Sequence, residues 1–288
     1  MNDINKLYSL WREKATEKEV LDELISVEDN EKEILDRFWQ NLTFGTGGLR
    51  GVIGAGTNRM NVYTVSQATQ GLSNYLNEAF EKPSVAVGYD SRINSDKFAR
   101  AAASVLAANG IKVYLFDGMR PTPELSFAIL HYGCIAGINI TASHNPSQYN
   151  GYKVYWSDGA QISLQQADKI ASVMNQNDVF FAKLPTKEEY ESNVTILGEE
   201  FDEKYLSAIL KAQITPEVCK RQSDLPIVYT PFHGTGLRLV PEALKRAGFT
   251  NVIPVPSQMD PNGHFPTVIS PNPEHIEGFA CAMHIAKE

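Results

Sequence analysis

The residues best suited to chemistry lie in one stretch, residues 139–155, NITASHNPSQYNGYKVY. Ser143, His144 and Lys153 stand close together there. A serine hydroxyl is a poor nucleophile until a base or its surroundings activate it. His144 is the adjacent base, yet neighbours on an extended segment point to opposite faces, so a Ser–His couple is not expected. Lys153, on the far shoulder of the loop, is better placed for proton transfer. The chain must leave its strand at Ser143, because Pro146 cannot continue a ladder and biases Asn145 away from helix. Asn150-Gly151 reads as a turn, with a short strand at 152–156 after it. On spacing alone, an ordinary surface hairpin whose serine caps a turn competes with the catalytic reading, because Ser and Asn are common turn formers.

Three other polar stretches sit at strand ends or nearby, the first of them after the helical N-terminal segment. FGTGGLRG at 44–51 has glycines that free the backbone to approach an anion, and Arg50 is a bidentate phosphate donor. A tight turn between packed elements explains it equally well. In GYDSR at 88–92, Asp90 and Arg92 suit a supporting ion pair, Arg92 either orients the site or pairs locally, and Ser91 or Asn94 suits a helix cap. In PFHGTG at 231–236 the glycines and a following helix start suit an anion, although a packed strand–helix turn with a satisfied His233 is the simpler account.

The elements that must position these residues follow from periodicity. Residues 1–40 read as charged helices with apolar spacing at Leu7, Leu10, Trp11, Leu21, Leu24, Ile25, Ile34, Leu35 and Phe38, a collar packing one stripe on the main body. From Val62 the pattern alternates: helix 62–80, strand 84–89, helix 95–109, strand 111–116, helix 123–131, strand 134–140, and helix 163–174. This rhythm predicts a mainly parallel mixed sheet with helices on both faces. Residues 179–200 lose it and read as an interdomain connection. A second, incomplete α/β domain of the same type then starts: helix 202–213, strand 226–229, helix 237–247 stopped by Gly248, strand 251–255, and helix 274–287. The expected division is 1–198, with the collar at 1–42 and the serine loop at 141–153, and 199–288. Ligands in such sheets collect at the C-terminal strand ends, where the polar stretches fall.

Composition bounds the function. A chain of 288 residues with 43% hydrophobic and 21% charged residues has a core of ordinary size. Its net charge of −8 argues against nucleic acid as the main partner, while leaving room for a small anionic substrate. The three cysteines at 134, 219 and 281 match no zinc spacing and leave one unpaired, and Cys134 reads as a packed core thiol. A reducing cytoplasm is the expected compartment. The N-terminus lacks a signal-peptide core, and no segment is long enough to span a bilayer.

Taken together and in order, FGTGGLRG, GYDSR, TASHNP with YNGYK, and PFHGTG resemble the α-D-phosphohexomutases. The collar resembles the larger branch, which also contains phosphopentomutases. The resemblance implies an intramolecular phosphotransferase that interconverts hexose 1- and 6-phosphates, with glucose expected and mannose or pentose specificity as alternatives. It implies that Ser143 carries a phosphoryl group that passes to the sugar and returns by way of a bisphosphate. It further implies proton transfer at Lys153, charge stabilisation by Arg50, and His144 as a further catalytic residue beside the serine. Thr46, Gly47, Arg50, Asn145 and Lys153 are the implied substrate or phosphate contacts. The implied cofactors are Mg2+ and, as activator, glucose 1,6-bisphosphate. The Ser143 phosphate is one implied metal ligand, and the others are expected beyond Glu288. The family's Asp-x-Asp-x-Asp-Arg metal loop is not found, since DPNGH at 260–264 has one aspartate. The chain is therefore expected to be the N-terminal part of a longer enzyme, inactive alone and partnered by C-terminal domains. The competing class is a non-catalytic sugar-phosphate-binding module.

Overall fold

The computed structural model describes residues 2–45, 47–174 and 178–287. Thr46 and Glu288 lie outside the described residues. The phosphate contact expected at Thr46 and the metal ligands expected past Glu288 therefore have no place in the described fold. Three helices come first: α1 (Asn2–Lys14), α2 (Lys18–Ser26) and α3 (Glu31–Phe38). They bury Trp11, Leu24, Ile34 and Phe38 in a small core of their own, which also takes in Ala55. Trp11 meets Phe38 and Tyr63 edge-on at 5.7 and 5.5 Å. Glu23 accepts from the Ala55 backbone N–H at 2.7 Å, which ties this collar to the segment after the first strand.

That strand is β1 (Gly48–Val52), and it is followed by α4 (Val62–Ala79), β2 (Ser84–Tyr89), α5 (Ser95–Ala108), β3 (Lys112–Phe116), α6 (Thr122–Tyr132), β4 (Ala136–Ile140), β5 (Tyr149–Trp156), α7 (Leu164–Met174), α8 (Lys187–Asn193) and β6 (Val194–Leu197). The strands form one six-stranded sheet in the order β1-β5-β4-β2-β3-β6. β4, β2, β3 and β6 are mutually parallel, and β5 and β1 are added antiparallel at one edge. Local chemistry starts the helices. Asn61 accepts from the N–H groups of Tyr63 and Thr64 while Thr64 Oγ1 accepts from Asn61, a reciprocal cap on α4. Gly133 ends α6 in the left-handed conformation.

Both faces of the sheet are covered. One face packs Ile138, Ile140, Tyr152 and Val154 with residues of α4, α5 and α7. The other packs Phe116, Leu125, Ile129, Tyr155 and Phe201. Because side chains alternate along a strand, Lys153 lies on the Tyr155 side, opposite Asn139 of β4.

A second, smaller sheet pairs β7 (Ile227–Tyr229) and β8 (Val252–Pro254) in parallel, after α9 (Glu199–Lys211) and α10 (Pro216–Arg221). α11 (Gly236–Ala247) joins the two strands and stops at Gly248, φ 112°. α12 (Pro256–Met259), a 3₁₀ turn at Ile276–Phe279 and α13 (Ala280–Ile285) complete the described chain.

Several expectations are corrected. Asn150-Gly151 is not a turn; both residues lie inside β5. Asn150 is fully buried, and its Nδ2 donates to Ile93 O at 3.0 Å and Ser95 Oγ at 2.9 Å. Gly151 is squeezed between strands, so that a Cβ there would lie 2.6 Å from Thr141 O and 3.0 Å from Leu49 O. Polar and glycine residues thus serve close packing rather than a reversal, and the serine loop closes at Gln148 instead of running to 153. From Gly48 onward FGTGGLRG is an edge strand, which turns Arg50 from a loop residue into a strand residue. The polar connection at 179–200 contains α8 and the sixth strand, whose parallel pairing to β3 no local signal announces. Residues 274–287 break into a 3₁₀ turn and one short helix. α5 begins after a left-handed Asn94 with no side-chain cap, while the Ser95 hydroxyl turns back to Asp90 Oδ1 at 2.8 Å.

The close approach at Gly151 carries a test. Gly151→Ala should lower the unfolding free energy by about 1–3 kcal/mol, read from urea midpoints, because the backbone neighbours of an added methyl cannot move independently.

Candidate active site

β4, β2 and β3 all release their loops at the same end of the sheet. After β3 the chain returns to pair with β2 on its other side, so a crevice opens at the C-terminal ends of β2 and β4. The serine loop leaves β4 there. Ser143 has φ 57°, a left-handed conformation that residues with a Cβ rarely adopt. Its N–H donates to Thr141 Oγ1 at 2.9 Å, and Asn145 N–H donates to Ala142 O at 3.1 Å. The chain therefore turns sharply at Ser143 instead of running extended. This overturns the expectation that Ser143 and His144 point apart: Ser143 Oγ lies 3.3 Å from His144 Nδ1, and both side chains are exposed.

Arg50, on β1, reaches across to this loop, and its Nη1 donates to Asn145 Oδ1 at 3.3 Å. Lys153 is half-buried on β5. Among the described residues its side chain makes no hydrogen bond or ion pair, and its ammonium is pushed below the ordinary lysine value by burial and then by the positive charge of Arg50, against the opposing pull of Asp90. Gly47 does not line the cleft; its carbonyl accepts from Val154 N–H at 2.9 Å and extends the edge pairing.

For Arg92 the sequence leaves orienting the site and pairing locally both open, and the structure shows both contacts. The GYDSR spacing suggested an ion pair, and Arg92 Nε does stand 3.5 Å from Asp90 Oδ2. Its larger part is invisible locally. The side chain is wholly buried beneath the serine loop and donates to four carbonyls, those of Ser143 (3.0 Å), Asn145 (2.5 Å), Pro146 (2.9 Å) and Tyr149 (2.9 Å). Asp90 is itself pushed upward by burial, which its hydrogen bonds with Thr141 and the Arg92 backbone oppose.

The second sheet supplies the opposite wall. A cleft of about 590 Å³ runs between the two, with Asp90, Ser91, Ser143 and His144 on one side and Thr230, Gly234, Thr235 and Gly236 on the other. The last three border the first turn of α11, so the glycines of PFHGTG do face a cavity. His233 does not. It is buried, with Nδ1 against Asp260 O and Nε2 against Thr267 Oγ1, both at 2.9 Å, a satisfied structural histidine. Cys134 is likewise a core thiol, pushed up to about 11 by burial.

A further charged cluster lies where α6, α9 and α11 meet. Arg120, on the cleft wall, donates to Asp202 at 2.7 and 3.1 Å and to Asp117 at 3.1 Å, and Arg238 reaches Asp202 at 3.1 Å. Glu124 is fully buried 3.7 Å from Arg120. Burial first, then the Asp202 carboxylate, push it up to about 8 from the ordinary 4.5, against Arg120 and Arg238. The folded state thus holds a proton that the unfolded chain releases, so this contribution to stability is full below the ordinary value and is lost as pH rises through about 8. Glu124→Gln should flatten the fall in stability across that window, measured as urea midpoints at acid and mildly alkaline pH.

The fold is thus a mixed α/β sheet covered on both faces, with a left-handed serine at a cleft, Arg50 bound to its loop and Arg92 buried beneath it. Comparison with known proteins gives the family. The description "Phosphoglucomutase/phosphomannomutase, alpha/beta/alpha domain I" matches residues 41–179, and the corresponding domain II matches residues 203–288. The chain belongs to the phosphoglucomutase/phosphomannomutase family of α-D-phosphohexomutases, with two α/β/α domains of which the second is smaller here.

Among curated relatives, a phosphoglucomutase of Staphylococcus haemolyticus is 39% identical over 253 residues, covering 87% of this chain and 45% of the relative. One of Staphylococcus aureus is 37% identical over 283 residues, covering 97% and 50%. The chain thus spans about half the length of the curated relatives it matches. A solved structure from Thermus thermophilus, assigned as a phosphomannomutase, superposes with a TM-score of 0.72 at 28% identity, over 85% of this chain and 52% of its own. A family protein from Burkholderia thailandensis shares the fold, with a TM-score of 0.66 at 23% identity, over 85% and 49%.

Proposed function

We propose that this chain forms the serine-bearing part of a phosphosugar mutase that interconverts hexose 1-phosphate and hexose 6-phosphate, with glucose as the sugar. The observation that carries the proposal is the placement of Ser143, exposed and left-handed at the mouth of a cleft, with Arg50 bound to its loop. In the resting enzyme Ser143 carries a phosphoryl group. A free sugar hydroxyl attacks phosphorus, the P–Oγ bond breaks, and a sugar bisphosphate forms. The hydroxyl proton passes to Lys153, whose depressed basicity suits a group that must be neutral to accept it. Ser143 Oγ leaves with the bond's electron pair and takes a proton from water at its exposed position. After the bisphosphate reorients, Ser143 gives that proton back to water as it takes the other phosphoryl group, and Lys153 returns its proton to the sugar oxygen that leaves. Catalysis of this kind relies on positioning and charge neutralisation, which Arg50 supplies at the loop. Asn145 completes the phosphate contacts in this proposal, with His144 beside the reacting oxygen, while Gly47, whose carbonyl is held by Val154 N–H, is left out. The boundary between the two domains is placed after β6, at 198/199.

Magnesium is part of the proposal for the longer protein, with the Ser143 phosphate as one ligand and the others contributed from beyond Glu288. The residues in hand do not fit a metal site: among the described residues no group of three or more His, Cys, Asp or Glu is placed to hold an ion. Glu288 itself is not among them. No step above runs through a metal. No helix among the described residues is long and apolar enough to cross a membrane.

The test is a paired assay of glucose 1-phosphate and mannose 1-phosphate, with magnesium and catalytic glucose 1,6-bisphosphate, on a protein of the relatives' length and on the 288 residues alone. Faster turnover of glucose 1-phosphate by the longer protein is expected, with none by the 288 residues. A strong preference for mannose would favour the second reading, to which the Thermus neighbour points. Equal turnover by the short chain would sink the proposed need for residues past Glu288.

A further inference from the structure

We propose that Arg92 is the positioning residue that holds Ser143 in its left-handed conformation, and that its contact with Phe265 makes the serine loop and the opposite cleft wall one mechanical unit. The catalytic consequence rests on reading Ser143 as the phosphate carrier; the ordering of the loop does not.

A left-handed serine persists only where its surroundings over-determine it. The two terminal nitrogens of Arg92 do this from below, meeting the carbonyls of Ser143, Asn145, Pro146 and Tyr149 at once. Those carbonyls span the whole loop, so releasing the guanidinium frees the loop along its length. A planar fork with a fixed array of donors suits such a task, and a lysine ammonium, a point charge with three donors, cannot reach all four. The cost of burying the charge is visible in the chemistry: burial pulls the Arg92 guanidinium below its ordinary value, and Asp90 opposes that pull.

The other face of the guanidinium is closed from the loop that follows α12. Its central carbon sits 5.1 Å from the centre of the Phe265 ring, within cation–π range. Phe265 lines the cleft, and its backbone is also left-handed, φ 50°. Two residues before it, Gly263 lies so close that a Cβ would be 2.6 Å from Ile93 N and 2.9 Å from Ser91 O. Ser270 Oγ adds a second tie, donating to His144 O at 2.8 Å. A displacement of the 263–270 segment therefore changes what Arg92 and His144 can hold.

Hydrogen exchange on the 288-residue chain tests this without reference to activity. Arg92→Lys and Arg92→Met should accelerate exchange of the amides at 143–149 on the order of ten-fold or more, while the amides of β2, β4 and α5 keep wild-type rates. Phe265→Leu should accelerate the same loop by less. In turnover assays on the longer protein, Arg92→Lys should lower kcat and leave KM for the sugar phosphate within about two-fold, the signature of an interaction made in the transition state. Unchanged loop exchange in a folded Arg92 variant would overturn the clamp, as would a uniform acceleration across the sheet. Unchanged loop exchange in Phe265→Leu would overturn the coupling to the cleft wall. Loop acceleration in a protein whose Ser143 never takes up phosphate would support the clamp and overturn the proposed function.

Discussion

Ser143→Ala should abolish mutase turnover, by roughly 10⁴-fold or more, and remove the phosphate that the purified longer protein is expected to carry. In the proposed mechanism the hydroxyl oxygen holds the phosphoryl group between half-reactions, and nothing adjacent replaces it. His144 lies 3.3 Å from that oxygen, close enough to pick up a phosphoryl group wastefully but on a side chain with a different reach. Folding should be nearly untouched. Ser143 is exposed, its stabilising contact at Thr141 is made by its backbone N–H, and exposed substitutions rarely move stability by more than about 0.5 kcal/mol. Intact mass and phosphopeptide mapping of both proteins check the assignment. Phosphate carried only on other residues of an active enzyme would remove Ser143 from its role.

Lys153→Ala should lower turnover about 10²–10⁴-fold, the usual range for a positioned acid or base. Its pH dependence is the sharper signature. Because burial and Arg50 depress Lys153, its neutral form is populated at lower pH than for an ordinary lysine at 10.5, so the rate should rise with pH through that lowered value. The rise should vanish in Lys153→Ala. Stability follows the same proton. Between the lowered value and 10.5 the unfolded chain binds more protons than the folded one, so stability climbs with pH there. Lys153→Met, which keeps the stem and discards the charge, should be at least as stable as wild type near neutrality while being inactive. Wild-type rates in a folded Lys153→Ala protein would exclude the residue from the mechanism.

Which parts of this were legible in the chain varies by the range of the interaction. The strand at Ser84–Tyr89 was read without error, and α4, α6 and α11 to within a residue or two at either end, because apolar periodicity and Gly or Pro punctuation act over a few residues. The serine loop and its companions were legible as polar residues at strand ends, and their order supplied the family resemblance. Asn150-Gly151 was misread because the same pair that permits a turn also permits a strand to pass close to two backbones, and only the neighbours decide which. β6 was missed because a four-residue edge strand at the end of a polar segment draws its stability from β3, about eighty residues earlier.

By itself, then, the sequence determined the alternation of elements, the parallel core and the identity of the groups that could react, all consequences of side-chain chemistry and short-range backbone preference. The tertiary structure alone decided how those groups act. It bent the chain at Ser143 so that a neighbouring histidine came into reach. It buried Arg92 under four carbonyls that lie more than fifty residues away. It also placed Lys153 where desolvation and two arginines weaken its hold on a proton. Burial and Coulomb energy depend on distance in space rather than along the chain, and no local pattern records them.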